Sequence, residues 1–269
     1  RILGTKMKNQ KTLFGQNTEE AYKLLLKQLE DSKKGKLVQP QKTIITPTKD
    51  FSIQDNKDYW TLNGVLYRNK NKNQSVDLFK TLLNEGNSKT QDQWIEIAKK
   101  AMKKGEFYTP SMDLVYSIIK AAYLNKDNLN YQNEISQVKD FLKSSMTNNY
   151  LMTTTRLKYQ SNGKDKIIHN YKLPTQYEIQ ENMVGEDGQI VQLSNVNKTL
   201  DALLGSNNPQ EINDTFKWLC DVDTYLWRVN GTPKKEDERV AGFDAGSDWV
   251  DLDCGRYPTG SDSSLGVRA

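Results

Sequence analysis

The residues of this chain best placed to do chemistry crowd between Val240 and Ala269. Asp, Gly and Tyr recur there at almost every second place, as Asp244, Gly246, Asp248, Asp251, Asp253, Gly255, Tyr257, Gly260 and Asp262, with Trp249 among them. Alternating carboxylates are the oxygen ligands that calcium selects, and Asp251-Leu252-Asp253-Cys254-Gly255 resembles a fragment of an EF-hand loop, without its trailing Glu. On a strand, alternate acids share one face and repel unless a partner or ion compensates. Asp and Gly are also poor strand formers. They conflict with the strand implied by Val250, Leu252 and Cys254, and such a conflict usually marks function rather than fold. Outside the tail, reactive groups are sparse. The single histidine, His169, falls in an expected strand, and a structural role is expected of it. Cys220 and Cys254 have no metal-ligand spacing and read as free buried thiols. Neither a P-loop, a zinc pattern nor a convincing Ser-His-Asp order occurs, so no enzyme, cofactor or metal site is expected.

The elements that must position this tail divide at about residue 148, with a tight unit lacking a true boundary as the alternative. Residues 1–148 read as mostly helical. Asn17-Thr18-Glu19-Glu20 has the form of a capping box before Ala21, Tyr22, Leu25, Leu26 and Leu29. A polar, Pro-containing linker spans 36–49. Asn63-Gly64, flanked by apolar runs, predicts a hairpin over 59–68. Ser75 caps an expected helix over 76–84 with Gly86 beyond its end. A helix from about Thr90 to Lys104 ends at Gly105. Thr109-Pro110 opens another through Ala122, and 134–145 forms a further one. From 149 onward strands dominate: 151–159 and 166–171, joined by Ser161-Asn162-Gly163, then 224–229, 238–243, 249–254 and 263–267. Two short helices, 198–204 and 209–219, interrupt them, the second capped by Asn208.

The genetic code adds a sharper reading of the tail. Asn codons become Asp, Gly, Tyr or Ser codons when only adenines change, and an Arg codon becomes Trp by one such change. Restoring Asn at the odd positions, and Arg at 249, leaves a constant frame of Phe243, Ala245, Val250, Leu252, Cys254, Arg256, Pro258 and Leu265-Gly266-Val267-Arg268. The segment resembles the variable region of target proteins of diversity-generating retroelements, in which an error-prone reverse transcriptase mutates template adenines. Archaeal and archaeal-virus members resemble the chain further, at Leu151-Met152-Thr153, Arg156-Leu157, Tyr159-Gln160, Ile167-Ile168-His169-Asn170-Tyr171, Gln210-Glu211-Ile212-Asn213 and Thr224-Tyr225-Leu226-Trp227-Arg228. The resemblance covers roughly the C-terminal half. It implies an α+β chain with a C-type lectin fold of the formylglycine-generating-enzyme-like subclass over 149–269, and a variable region at about 243–264. In that fold Glu238–Phe243 looks like the penultimate core strand and Ser264–Arg268 the terminal one.

The resemblance also implies a receptor-binding protein at a virion or cell surface. Its ligand would be a macromolecule, a surface protein above all, with Trp249 and Tyr257 as the anchors of contact. The helical half would be a mount for an assembly partner or an elaboration of the lectin core. The alternatives are a calcium-dependent carbohydrate-binding lectin and, from the fold subclass, an oxidase using Cys220 and Cys254.

Composition narrows the partners. The chain has 269 residues, 36% hydrophobic, with five Trp, thirteen Tyr and seven Phe, enough for a real core. Its net charge is +4, and the lysine groups 33-34-36 and 99-100-103-104 read as solvated faces rather than a nucleic-acid stripe. No apolar run is long enough to cross a bilayer.

Overall fold

The computed structural model describes residues 12–13, 16–17, 50–67 and 74–269. Apart from Asn17, the expected capping box and the helix after it, and the linker over 36–49, lie outside them. The chain divides into two compact units, 1–44 and 45–269. In the first, strands β1 (Thr12–Leu13) and β2 (Gln16–Asn17) form a short antiparallel ladder.

The second unit opens with β3 (Ser52–Asp55), β4 (Tyr59–Val65) and β5 (Gln74–Phe79), an antiparallel meander. Two sequence expectations fail here. Asn63-Gly64 sits inside β4, where Gly64 takes φ +80° at a bulge between Leu62 and Val65, so the glycine serves a bulge and not a hairpin turn. The segment after Ser75 is strand, not helix. Val76 and Leu78 alternate into the core, a period of two that overrides the flanking cap signals.

Next come β6 (Lys89–Thr90) and α1 (Gln91–Lys104). Thr90 and Gln93 form a capping box, and left-handed Gly105 closes the helix. Helix α2 (Met112–Leu124) starts at Ser111, two residues beyond the expected Thr109 cap. It is apolar nearly all round and almost wholly buried, the central rod of the unit. Helix α3 (Gln132–Asn148) follows.

Strands β7 (Leu151–Tyr159) and β8 (Asp165–His169) form the expected antiparallel pair, and β9 (Tyr177–Glu181) adds to its edge. After β10 (Gly188–Gln189) come α4 (Asn197–Leu204), closed by Gly205, and α5 (Pro209–Cys220), capped by the Asn208 side chain. The chain then forms β11 (Asp223–Trp227), β12 (Asp237–Ala245), β13 (Trp249–Arg256), β14 (Ser261–Asp262) and β15 (Val267–Arg268).

The architecture is α+β. A seven-stranded sheet has the order β10-β11-β13-β12-β7-β8-β9, antiparallel except where β11 runs parallel to β13. A four-stranded sheet has the order β15-β5-β4-β3. The terminal strand, shorter than expected, therefore pairs with β5 from the first half of the chain, Val267 opposite Leu78. Likewise β14 pairs with β6. Buried Gln91 on α1 donates to the Thr153 and Thr155 carbonyls of β7 at 2.8 and 3.1 Å, and accepts from Arg156 Nε at 2.6 Å. The break expected at 148 is absent, because elements from both sides of it share sheets and core. Among the described residues, no helix is long and apolar enough to cross a membrane.

Candidate functional site

Strand β13 lies between β11 and β12, and the tail takes its geometry from that register. Val250, Leu252 and Cys254 point into the core, where they meet Phe243 and Phe216. The odd positions face the other way. In register, Tyr225, Asp251 and Asp244 form one row across three strands, and Trp227 and Asp253 stand beside each other in the next. The Trp249 and Trp227 rings flank Tyr225, with centroids 5.4 and 5.8 Å away. The outer face thus combines three aromatic rings with carboxylates.

The ten expected site residues separate into two groups. Asp244 is exposed near the end of β12, and Gly246 and Asp248 are exposed on the β12–β13 turn, held by Gly246 N donating to the Trp249 carbonyl at 3.0 Å. Trp249 and Asp251 are half-buried on the sheet face. Tyr257 and Gly260 lie in the loop after β13. Tyr257 is 61% exposed, and the Arg239 guanidinium covers its ring at 3.9 Å. All seven have solvent access, the first five at and beside the β12–β13 turn and Tyr257 and Gly260 beyond the opposite end of β13.

Asp253, Gly255 and Asp262 do not join them, contrary to the expectation that alternate residues all face solvent. Asp253 is 6% exposed and accepts from the Gly255 amide at 2.7 Å. At Gly255 an added Cβ would meet the Arg228 Cβ at 2.3 Å, so a side chain there must displace Arg228. Asp262 is 7% exposed. Its carboxylate accepts from Arg256 Nε at 2.7 Å, and its carbonyl accepts from the buried Trp94 indole at 2.9 Å. These three fix the β13 end and the following loop rather than display a surface.

The predicted carboxylate conflict is present. Burial, then Asp244 and Asp253, push the Asp251 carboxyl up to about 6, against a smaller opposing pull from Arg228. Burial also raises Asp253, although its bond to the Gly255 amide and the Arg228 and Arg256 charges favour the ionised form. Among the described residues, no three acid, histidine or cysteine side chains gather at metal-binding spacing. Nearby, the Tyr150 hydroxyl is buried without a hydrogen-bond partner, packed where only a glycine fits at 242.

Both cysteines are buried and free. Burial pushes the Cys220 thiol up to about 11 and Cys254 well above its ordinary value. The thiolate is the reactive species, and both environments suppress it. His169 is fully buried at the end of β8. Its Nε2–H donates to the Ala202 carbonyl at 2.9 Å, and its Nδ1 lies 3.1 Å from Asp113 Oδ1.

Sequence reasoning missed Tyr225 and Trp227 as parts of the face. Their alternation with Thr224 and Leu226 placed them opposite the core, but the parallel pairing with β13 is not visible locally. On α1, Lys99, Lys100, Lys103 and Lys104 are half-exposed or exposed, and Lys99 pairs with Glu96 at 2.6 Å, the solvated face that was expected. Comparison with protein-family models, with curated proteins and with solved structures found no match.

Proposed function

We propose that the chain is a ligand-binding protein whose displayed surface is diversified by a retroelement, built on a lectin-like scaffold and without catalytic chemistry. One observation carries this reading. Along 243–252, the positions whose residues are reachable from Asn or Arg codons by adenine changes alone, Asp244, Gly246, Asp248, Trp249 and Asp251, are exposed or half-buried. The frame residues between them, Phe243, Ala245, Val250 and Leu252, are buried. Substitution at the first set alters contact chemistry without removing core volume, the division that a mutable recognition surface requires.

The ligand class follows from the face itself. Aromatic rings supply contact area at low conformational cost, and the carboxylates favour a basic macromolecular surface, with cation–π contact available at the rings. Trp249 and Tyr257 are the anchors, now with Tyr225 and Trp227 beside Trp249. A C-type lectin fold fits the mixed architecture and the late placement of the mutable strand and loop. A virion or cell surface fits a protein whose ligand is a receptor. The raised thiols of Cys220 and Cys254 favour this reading over an oxidase.

A displayed library randomised at 244, 246, 248, 249, 251, 257 and 260 tests the proposal. Most members should remain folded and yield binders to unrelated basic proteins. A matched library at 250, 252 and 254 should lose the folded state. Widespread unfolding of the first library would overturn the reading.

A further inference from the structure

The outer face of the seven-stranded sheet sets one carboxylate among its aromatic rings. The parallel register places Tyr225 beside Asp251 and Trp227 beside Asp253. On its own strand Asp251 follows Trp249 by two residues, and so shares a face with it. Trp249 and Trp227 lie on either side of Tyr225, tilted to it by 52° and 59°. Trp227 is 38% exposed, so the group is open to solvent.

The acids of this face differ in what they already hold. Asp244 accepts from the Ala245 amide at 3.0 Å, and Asp253 accepts from the Gly255 amide at 2.7 Å. Half-buried Asp251 accepts no hydrogen bond and makes no ion pair among the described residues. Asp244 stands directly opposite it across the ladder, a like-charge pairing that costs stability. The carboxyl is pushed up to about 6 accordingly, burial being the larger cause. Arg228 opposes that shift, but its guanidinium stands 5.8 Å from the Trp227 ring centre while its stem packs on Gly255. It reaches no carboxylate closely enough for an ion pair among the described residues. An unpaired, half-buried carboxylate and three ring faces have one remedy in common, a cation arriving from solvent.

We infer that Asp251, Tyr225, Trp249 and Trp227 form a slot for a single arginine side chain presented by a protein ligand. This rests on the binding reading above and names the group that the native face takes. A guanidinium is planar, so it lies against the rings while its N–H edge forks the Asp251 carboxylate. A lysine ammonium brings the charge without the fork or the flat face, and fits the slot less well.

The test is a titration of the full chain at pH 7.5 with N-acetyl-arginine methylamide, and with its lysine and citrulline counterparts. Proton–nitrogen correlation NMR follows the indole N–H signals. The arginine probe should move the Trp227 and Trp249 signals saturably in the millimolar range and leave buried Trp94 in place. The lysine probe should bind more weakly, and citrulline, which has the shape without the charge, should not bind. Asp251→Asn and Trp249→Ala should each weaken arginine binding about tenfold, with native amide dispersion showing that the fold persists. Asp127→Asn, at an exposed acid in the loop between α2 and α3, should change nothing. No saturable shift at either indole overturns the inference. So does lysine or citrulline binding as tight as arginine, or undiminished binding by Asp251→Asn. The seven-position library judges the mutable surface separately. Folded members that yield binders, together with no arginine binding here, would remove the slot and leave that reading standing.

Discussion

Replacing Asp251 by Asn should stabilise the protein at neutral pH. In the folded chain this carboxyl sits at about 6 against an ordinary 3.8, because half-burial and the neighbouring Asp244 and Asp253 disfavour its charge. The folded state therefore holds the proton more tightly than the unfolded state does. The resulting stabilisation is fully present below about pH 4 and is lost as pH rises through about 6. At about 1.36 kcal/mol per pH unit the span corresponds to roughly 3 kcal/mol, and solvent screening of a half-buried group reduces it to about 1–2 kcal/mol. Asn keeps the size and removes the charge. At pH 7.5 the variant should melt higher by about 2–4 °C for each kcal/mol gained. At pH 4 the two proteins should melt together. Thermal unfolding followed by circular dichroism across that range measures both limits. A gain of the same size at every pH, or none at pH 7.5, would refute the electrostatic account of the face.

Other perturbations probe the scaffold. Gly64→Ala should cost about 1–3 kcal/mol, because φ is +80° and the new Cβ would lie 3.0 Å from the Phe51 Cα, and urea unfolding would register it. Arg256→Ala should cost about 1–3 kcal/mol by leaving the Asp262 carboxylate buried without its guanidinium; an unchanged midpoint in the same assay would remove Asp262 from its structural role. EDTA should leave the melting temperature where it is, since the described residues gather no metal-sized set of ligands. A fall of several degrees reversed by calcium would instead favour the calcium-dependent lectin. Leu252→Ala should cost about 2–5 kcal/mol, while Asp248→Ala, on the exposed turn, should fall within about 0.5 kcal/mol of the wild type.

Local signals were legible in the sequence where a side chain and the backbone it serves are neighbours. The Gly105 closure and the Asn208 cap are of this kind. Gly64 shows the limit, because a left-handed glycine serves a turn or a bulge equally well, and only pairing on both sides of β4 decides. At β5, cap-like Ser75 and Gly86 concealed a period-two core pattern. In the candidate site, alternation separated exposed from buried positions between 243 and 252. Beyond 252 the rule failed, because Arg228 and Arg256 pack over the odd positions and draw Asp253, Gly255 and Asp262 inward. The aromatic half of the face depends on strands brought together from separate parts of the chain.

The central claim is that the exposed positions of the tail are written by templated adenine mutagenesis. Sequencing the few kilobases of genomic DNA downstream of the gene tests it most directly. The account predicts a near-copy of the stretch encoding about 243–264, differing only where that copy carries adenine, beside a reverse-transcriptase gene. A downstream sequence with no such repeat, or one whose differences fall equally on all four bases and on the codons of Val250 and Leu252, would contradict it.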